Sequence, residues 1–426
     1  MGILLFSLFA LFLIADIPIA ISIGLSSLLA LAIATNVPLA VVAQRMYAAV
    51  DSFPMMAIPY FIVAGALMER GGISRRLINL ASSLVGSLPG GLGQVTVLTS
   101  MFFAAISGSG PATTAAIGGI MIPAMERSNY NRSFATALQA TAGALGPLIP
   151  PSILFITFGV ATGESIGDLF LSGALPGVLV GLSLMIMVYF ISKKNGYVGT
   201  GNKASIKDVL NNAKQASWAL MMPVIILGGI YGGVFTPTEA AVVSAIYGLI
   251  VGFFVYRELK LSDLPKIFVQ SAVTSAMVMY VIATASAFSW IMSNAQIPTQ
   301  IANFIIQLAP NKYILLLFLN ILLLITGCFI ELNAAIVILA PLMMPIMVKM
   351  GVDPIHFGAI MVTNLCLGLV TPPLGVNLYV ASGISKLRIE EVAKSLIPFL
   401  AAAIVALMLI TYIPEISLYL PKVMGK

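Results

Sequence analysis

The chain predicts an all-α polytopic membrane protein made of two inverted repeats, each carrying a re-entrant helical hairpin and a broken transmembrane helix. Three observations predict it. Of 426 residues, 60% are hydrophobic and 8% charged, with a mean hydropathy of +1.06, the balance of a chain immersed in lipid. Next, Met121-Ile122-Pro123-Ala124-Met125 returns as Met343-Met344-Pro345-Ile346-Met347. The same 222-residue shift carries Gly146, Pro150, Pro151 and Pro176 onto Gly368, Pro372, Pro373 and Pro398. One register held over that distance marks a duplicated unit. Finally, each copy has apolar segments interrupted by glycine and proline at matching places, a pattern that points to a binding site near the bilayer midplane.

The first repeat covers 1–192. Residues 3–34 form an apolar run interrupted by Asp16 and Pro18, without a small-residue cleavage pattern, and are read as mature transmembrane structure. Their counterpart is 219–256, interrupted at Thr236-Pro237-Thr238-Glu239-Ala240. Whether each is one bent span or two short ones is left open by the pattern, which leaves the number of spans open by two. An apolar segment at 54–68 is followed by Arg70, Arg75 and Arg76 among Ile73, Leu77, Ile78 and Leu80, the pattern of an amphipathic interfacial helix. Its match falls at about 293–309.

The first hairpin, about 92–125, turns at Ser107-Gly108-Ser109-Gly110-Pro111. Its arms, 92–106 and 111–125, reach only about 22 Å each at 1.5 Å per residue, short of a hydrocarbon core near 30 Å, so the chain dips in and turns back. The alternative is a tight loop at the membrane surface. Irregular backbone at membrane depth persists only where protein buries it or it lines a wet cavity. The broken helix, about 133–162, is interrupted at Gly146-Pro147-Leu148-Ile149-Pro150-Pro151-Ser152. Adjacent prolines remove two donors and free carbonyls. A proline kink healed by neighbouring helices is the plainer reading, and duplication of the break at Gly368-Leu369-Val370-Thr371-Pro372-Pro373-Leu374 argues against it. Residues 169–191 close the repeat.

A linker at 193–217 holds five lysines (Lys193, Lys194, Lys203, Lys207, Lys214) against one acid, Asp208, and is placed in the cytoplasm by the positive-inside bias. The second repeat, 218–426, continues with 268–292, a hairpin at about 313–349, a broken helix at about 355–384 and a closing segment at 392–413. In the common register Ser109 falls on Glu331 and Pro111 on Asn333, so the second tip is polar too.

Glu331 and Glu239 are the carboxylates most embedded in apolar sequence. A charge at the bilayer centre costs at least about 2.5 kcal/mol, which makes each a functional candidate. Against this, Glu331 has the alternative of capping a helix, and Thr236-Pro237-Thr238-Glu239 has the form of a helix start. Glu164 and Asp168 read as interfacial, His356 as packing, and Cys328 and Cys366 as buried thiols. The net charge of +6 is small and its lysines and arginines lie in loops, which argues against a nucleic-acid partner. No Gly-x-Ser-x-Gly, His-Glu-x-x-His or phosphate-binding loop is present, so neither an enzyme nor ATP hydrolysis is expected, and no cofactor.

Asp51-Ser52-Phe53-Pro54-Met55-Met56-Ala57-Ile58-Pro59, the Ile106–Gly110 tip, Ile122-Pro123-Ala124-Met125, the Gly146–Ser152 break and Phe235-Thr236-Pro237-Thr238-Glu239-Ala240 together resemble the large membrane subunit of tripartite ATP-independent periplasmic (TRAP) transporters, from end to end. The resemblance implies an elevator-type, Na⁺-driven importer of organic acids in the bacterial inner membrane. Its implied partners are a separate small membrane subunit and a periplasmic substrate-binding protein. It also implies two Na⁺ sites, one using Ser107 with carbonyls around Gly146, Ile149 and Pro150, the other Gly327, Gly368 and Thr371. Substrate is expected near Ser109, Thr113, Asn333 and Asn377, with Glu331 and Glu239 as polar support. Sialic acid and C4-dicarboxylates are both family substrates, and no residue pattern here separates them. Two competing readings are a stand-alone Na⁺/carboxylate symporter of the same fold and an intramembrane enzyme using Glu331 or His356; the latter lacks a paired nucleophile or metal set.

Overall fold

The structure, a computed structural model, describes residues 1–199, 204–297, 300, 311–372 and 375–424, and every regular element among them is helical. The chain opens with two helices, α1 (Gly2–Ile14) and α2 (Ile19–Ala34), parted at Asp16 and Pro18 and packed on each other. Pro18 is the N-cap of α2, where its missing N–H costs nothing. A helix that the sequence pattern did not resolve, α3 (Ala40–Val50), meets the Phe53–Arg70 segment, which contains α4 (Ala57–Arg70), at a 63° bend. The amphipathic stretch is α5 (Ile73–Val85).

The first hairpin is α6 (Gly91–Ser107) and α7 (Gly110–Arg127), and the first broken helix is α8 (Arg132–Gly143) and α9 (Ile153–Thr162). After α10 (Ile166–Asn195) come α11 (Ile206–Tyr231), α12 (Pro237–Ile250) and α13 (Leu264–Asn294). The second hairpin is α14 (Lys312–Phe329) and α15 (Leu332–Lys349), the second broken helix α16 (Pro354–Gly368) and α17 (Val376–Ser385), and α18 (Ile389–Tyr412) and α19 (Glu415–Met424) end the chain. The 222-residue shift carries both boundaries of α7 onto those of α15. The proposed match at 293–309 lies largely outside the described residues, as do Pro373 and Leu374. Among the described residues seven helices are long and apolar enough to cross a membrane, or eight if the bent pair is one span.

Two stretches gain detail. The interrupted 219–256 region is two helices, because Thr236 and Glu239 form a reciprocal capping box that starts α12 afresh. The 193–217 stretch is less a loop than its lysines suggest, since α10 continues to Asn195 and α11 starts at Ile206. Ser205 and Asp208 build a second capping box there, so the polar residues lie on a helix's first turns.

The ends of α10 define two ends of the molecule. Beside its C-terminus Tyr197 stacks on Tyr130 (4.3 Å), its carbonyl accepts from the Gly90 N–H, and its hydroxyl accepts from the Asn131 N–H. This end is rich in cations: Arg70, Arg75, Arg76, Arg127, Arg132, Lys193 and Lys194, with Arg76 paired to Glu258 at 2.7 Å. Near its N-terminus Tyr231 donates to the Gly167 carbonyl and the Phe53–Met56 turn packs on α9, while Thr238 of α12 donates to the Phe53 carbonyl. Acids outnumber cations at that end, with Asp51, Glu164, Asp168, Glu239, Asp353 and Glu415 against Arg45, Lys312 and Lys349. Burial, and then the Asp353 and Asp168 carboxylates, push the Glu164 carboxyl above its ordinary range.

The halves interlock. Helix α17 of the second broken helix packs on α7 and α8, and α9 of the first packs on α15. Each hairpin therefore leans on the other half's interrupted helix.

Candidate functional site

Both hairpin tips open on one cavity of about 740 Å³. The first tip contributes Ser107 through Ala112 and the second Gly327 through Asn333, with Pro147 and Leu369 from the two helix breaks. The opposite wall is α4 and α13, through Gly65, Glu69, Gln270, Ser271 and Thr274. The sequence reading placed the tips here but missed Glu69 and the polar start of α13. Glu69 sits one residue before Arg70 at the edge of an apolar run, where it reads as an interface charge.

At the first tip, Gly108 ends α6 at φ +60°, a left-handed turn that glycine takes without strain. Ser109 then starts α7, its Oγ accepting from the Ala112 N–H at 3.4 Å. Three oxygens gather behind it: Ser107 Oγ lies 2.9 Å from Thr113 Oγ1, which donates to the Ser109 carbonyl at 2.8 Å. The first helix break presses on this cluster. A Cβ added to Gly146 would sit 2.3 Å from the Ser109 carbonyl oxygen and 2.8 Å from Thr113 Oγ1. Pro147, Pro150 and Pro151 have no N–H to offer, and the carbonyls of Gly146, Ile149 and Pro150 accept no hydrogen bond among the described residues. Hydroxyls and uncommitted carbonyls without a net charge suit a monovalent hard cation.

The second tip reaches a similar place by other means. Glu331 caps α15, one carboxylate oxygen accepting from the Ala334 N–H at 2.9 Å and the other from Asn333 Nδ2 at 2.8 Å. Its side chain is exposed and faces the open cavity. Asn333 Oδ1 accepts from Thr157 Oγ1 of α9 at 2.8 Å, so its amide is bonded at both ends and forms wall rather than a free contact. Gly327 and Gly368 bring two backbones together: a Cβ on Gly368 would fall 2.4–2.5 Å from three backbone atoms of Gly327. Thr371 Oγ1 lies in the break beyond, donating to the Leu367 carbonyl at 2.8 Å.

The remaining candidates divide. Ser109 lines the cavity, but Thr113 and Asn377 are buried behind the first tip. Asn377 Nδ2 donates to the Ala140 carbonyl at 3.3 Å and its Oδ1 has no partner among the described residues, close to Gly110. It supports the tip from the other half. Glu239 is exposed, committed to its capping box and outside the cavity wall. His356 is buried between Ser417 Oγ (2.7 Å) and the Thr411 carbonyl (3.2 Å), away from the cavity. Among the described residues no three His, Cys, Asp or Glu side chains gather as a metal site.

The tips also present helix N-termini, with partial positive charge and unpaired N–H groups. Glu331 already neutralises that of α15. Ser109 caps α7 without charge, which leaves the first tip the better receiver of an anion.

Residues 6–416 match the family described as tripartite ATP-independent periplasmic transporter, DctM component. The chain is 50% identical over 97% of its length to an isethionate TRAP transporter permease protein, DctMQ, of Oleidesulfovibrio alaskensis, and spans 65% of that protein. It is 42% identical to the C4-dicarboxylate TRAP transporter large permease protein DctM of Pseudomonas aeruginosa, covering 95% of this chain and 94% of that one. A sialic acid TRAP transporter large permease protein, SiaM, of Vibrio cholerae is 38% identical over 96% of each chain. Among solved structures, the YdaH transporter of Alcanivorax borkumensis, described as having an unusual topology, superimposes with a TM-score of 0.55 over 87% of each chain at 15% identity, a likeness of fold alone.

Proposed function

The chain belongs to the tripartite ATP-independent periplasmic (TRAP) transporters as their DctM component, a multi-pass inner-membrane permease for secondary import of organic acids, and from that premise we propose that import is driven by Na⁺ through an elevator movement. One observation carries the reading: two hairpin tips and two helix breaks converge on one cavity, with uncommitted carbonyls beside tip hydroxyls. Na⁺ binds at Ser107 with the Gly146, Ile149 and Pro150 carbonyls, and again around Gly327, Gly368 and Thr371. The substrate's anionic group meets the first tip at Ser109 and the start of α7, while Glu331, Asn333, Thr113 and Asn377 hold the tips in shape.

The positive-inside bias puts the cationic end in the cytoplasm, so the cavity, with Glu69 and Gln270 on its wall, faces inward here. The hairpins and broken helices, interlocked across the halves, move together as the carrier, and α4, α12 and α13 form the frame. Release outward-to-inward then needs no rearrangement of the tips themselves. A periplasmic binding protein delivers substrate at the acidic end and a small membrane subunit accompanies the frame.

The test is uptake into liposomes holding this chain and its small subunit, with substrate offered with or without purified binding protein. Uptake is expected only with binding protein and inward Na⁺. Equal uptake without binding protein favours the stand-alone symporter, and equal uptake in choline with a proton gradient removes Na⁺ as the coupling ion.

A further inference from the structure

Helix α13 lines two cavities. Its first turns face the tips, and its last face a separate space of about 440 Å³ near the acidic end, within the range of small-molecule sites. We propose that this outer cavity is a second site for an organic anion, where Arg45 of α3 and serines of α13 hold the substrate's carboxylate or sulfonate before it reaches the tips. The inference rests on the import direction proposed above.

Arg45 is the cation on this wall, its guanidinium 5.2 Å from the centre of the Trp290 ring. Arg45 is exposed, and this cation–π contact steadies a planar fork whose donors suit a carboxylate or sulfonate. Among the described residues no carboxylate lies within 4.0 Å of it. Ser286, Ser289 and Ser293 recur at helical spacing on one face of α13, and Ser52 faces them from the bend after α3. Elsewhere on α13, Ser275 and Thr284 bond carbonyls of the preceding turn, at 2.7 and 3.1 Å. The hydroxyls of Ser52, Ser286, Ser289 and Ser293 have no protein partner among the described residues, so they are available to a ligand.

The position suits a waiting site. One wall is α13 of the frame with α3, which packs on it; the other is Val160 and Ala161 of α9 with Val337 and Pro341 of α15, from the carrier. An anion held here lies on the seam along which the carrier slides. The acids at this end repel anions at long range, but over about 8 Å salt screens them, and a guanidinium in contact wins locally.

The chain has two tryptophans, so Trp218→Phe leaves Trp290 as its own reporter. The full chain in nanodiscs, in choline chloride without Na⁺, is titrated with succinate and separately with isethionate while Trp290 emission is followed. A saturable change with at least one anion is expected. It should weaken about tenfold or more in Arg45→Gln, recover in part in Arg45→Lys, and weaken several-fold in the double variant Ser286→Ala/Ser289→Ala. No change with either anion, or an unaltered titration in the double serine variant and in Arg45→Gln, overturns the site. Because the titration omits Na⁺ and needs no transport, its failure leaves the Na⁺-coupled reading to stand or fall on uptake.

Discussion

The two hairpin tips solve one problem with different chemistry. The first turns on neutral groups, a left-handed glycine, a serine cap and hydroxyls bonded to one another. The second turns on a carboxylate, which neutralises its own helix end and borrows Asn333 and Thr157 to do so. Both breaks then bring backbone against backbone through a glycine, Gly146 on Ser109 and Gly368 on Gly327. The two copies keep a close approach of backbone at Gly146 and Gly368 while the side-chain chemistry of their tips diverges, and the proposal built on this gives both halves an ion and the first tip the substrate's anion.

The largest effect should come from breaking what they share. Gly146→Ala and Gly368→Ala each place a Cβ within 2.5 Å of backbone that cannot rotate aside. Overpacking of this kind costs about 1–3 kcal/mol, and here it also parts the groups proposed to hold the ion. Uptake should fall at least about tenfold in both, together with a lower melting temperature of the purified chain. A loss in one and full activity in the other would mean that only one break is functional.

The division of labour gives a middle-sized effect. Glu331→Gln removes a charged acceptor from two donors and should cost about 1–2 kcal/mol of stability, with a small change in substrate half-saturation. Ser109→Ala should lower stability by about 1 kcal/mol or less and raise substrate half-saturation more than Glu331→Gln does. Thermal unfolding alongside uptake kinetics separates the two, and the reverse ranking would place the anion at the second tip.

The smallest effect concerns the cationic end. Shortening the polar segment between Gly199 and Ser205, while keeping Tyr197 on Tyr130 and the Ser205 cap, should leave binding-protein-dependent uptake within about twofold of the intact chain, because the proposed docking is at the other end. Loss of uptake in a folded, inserted variant would reverse the assignment of sides.

Hairpins and breaks were legible because proline and glycine act locally: a missing N–H or a left-handed turn interrupts a helix whatever surrounds it, and a constant shift reveals the second copy. Helix α3 was less legible, since Ala40–Val50 carries a mixed pattern and its bend depends on packing against α13. The helical ends of the linker left no mark, because lysines say which side a segment lies on and not whether it is helical. Contacts between halves, Thr157 with Asn333 and Asn377 near Gly110, join residues far apart in the chain and left no local mark. Thr113 and Asn377 lie behind the first tip, and spacing alone does not tell a cavity wall from the layer behind it.

The central claim is that each break holds a sodium ion, and the most direct measurement is uptake as a function of external Na⁺ for the wild type, Ser107→Ala and Thr371→Ala, with binding protein saturating. Two coupled ions predict a sigmoidal curve for the wild type. Each variant should shift its half-saturation to higher Na⁺, several-fold, with little change in protein inserted in the membrane. A hyperbolic wild-type curve whose half-saturation neither variant moves, or full uptake with choline in place of Na⁺, would contradict it.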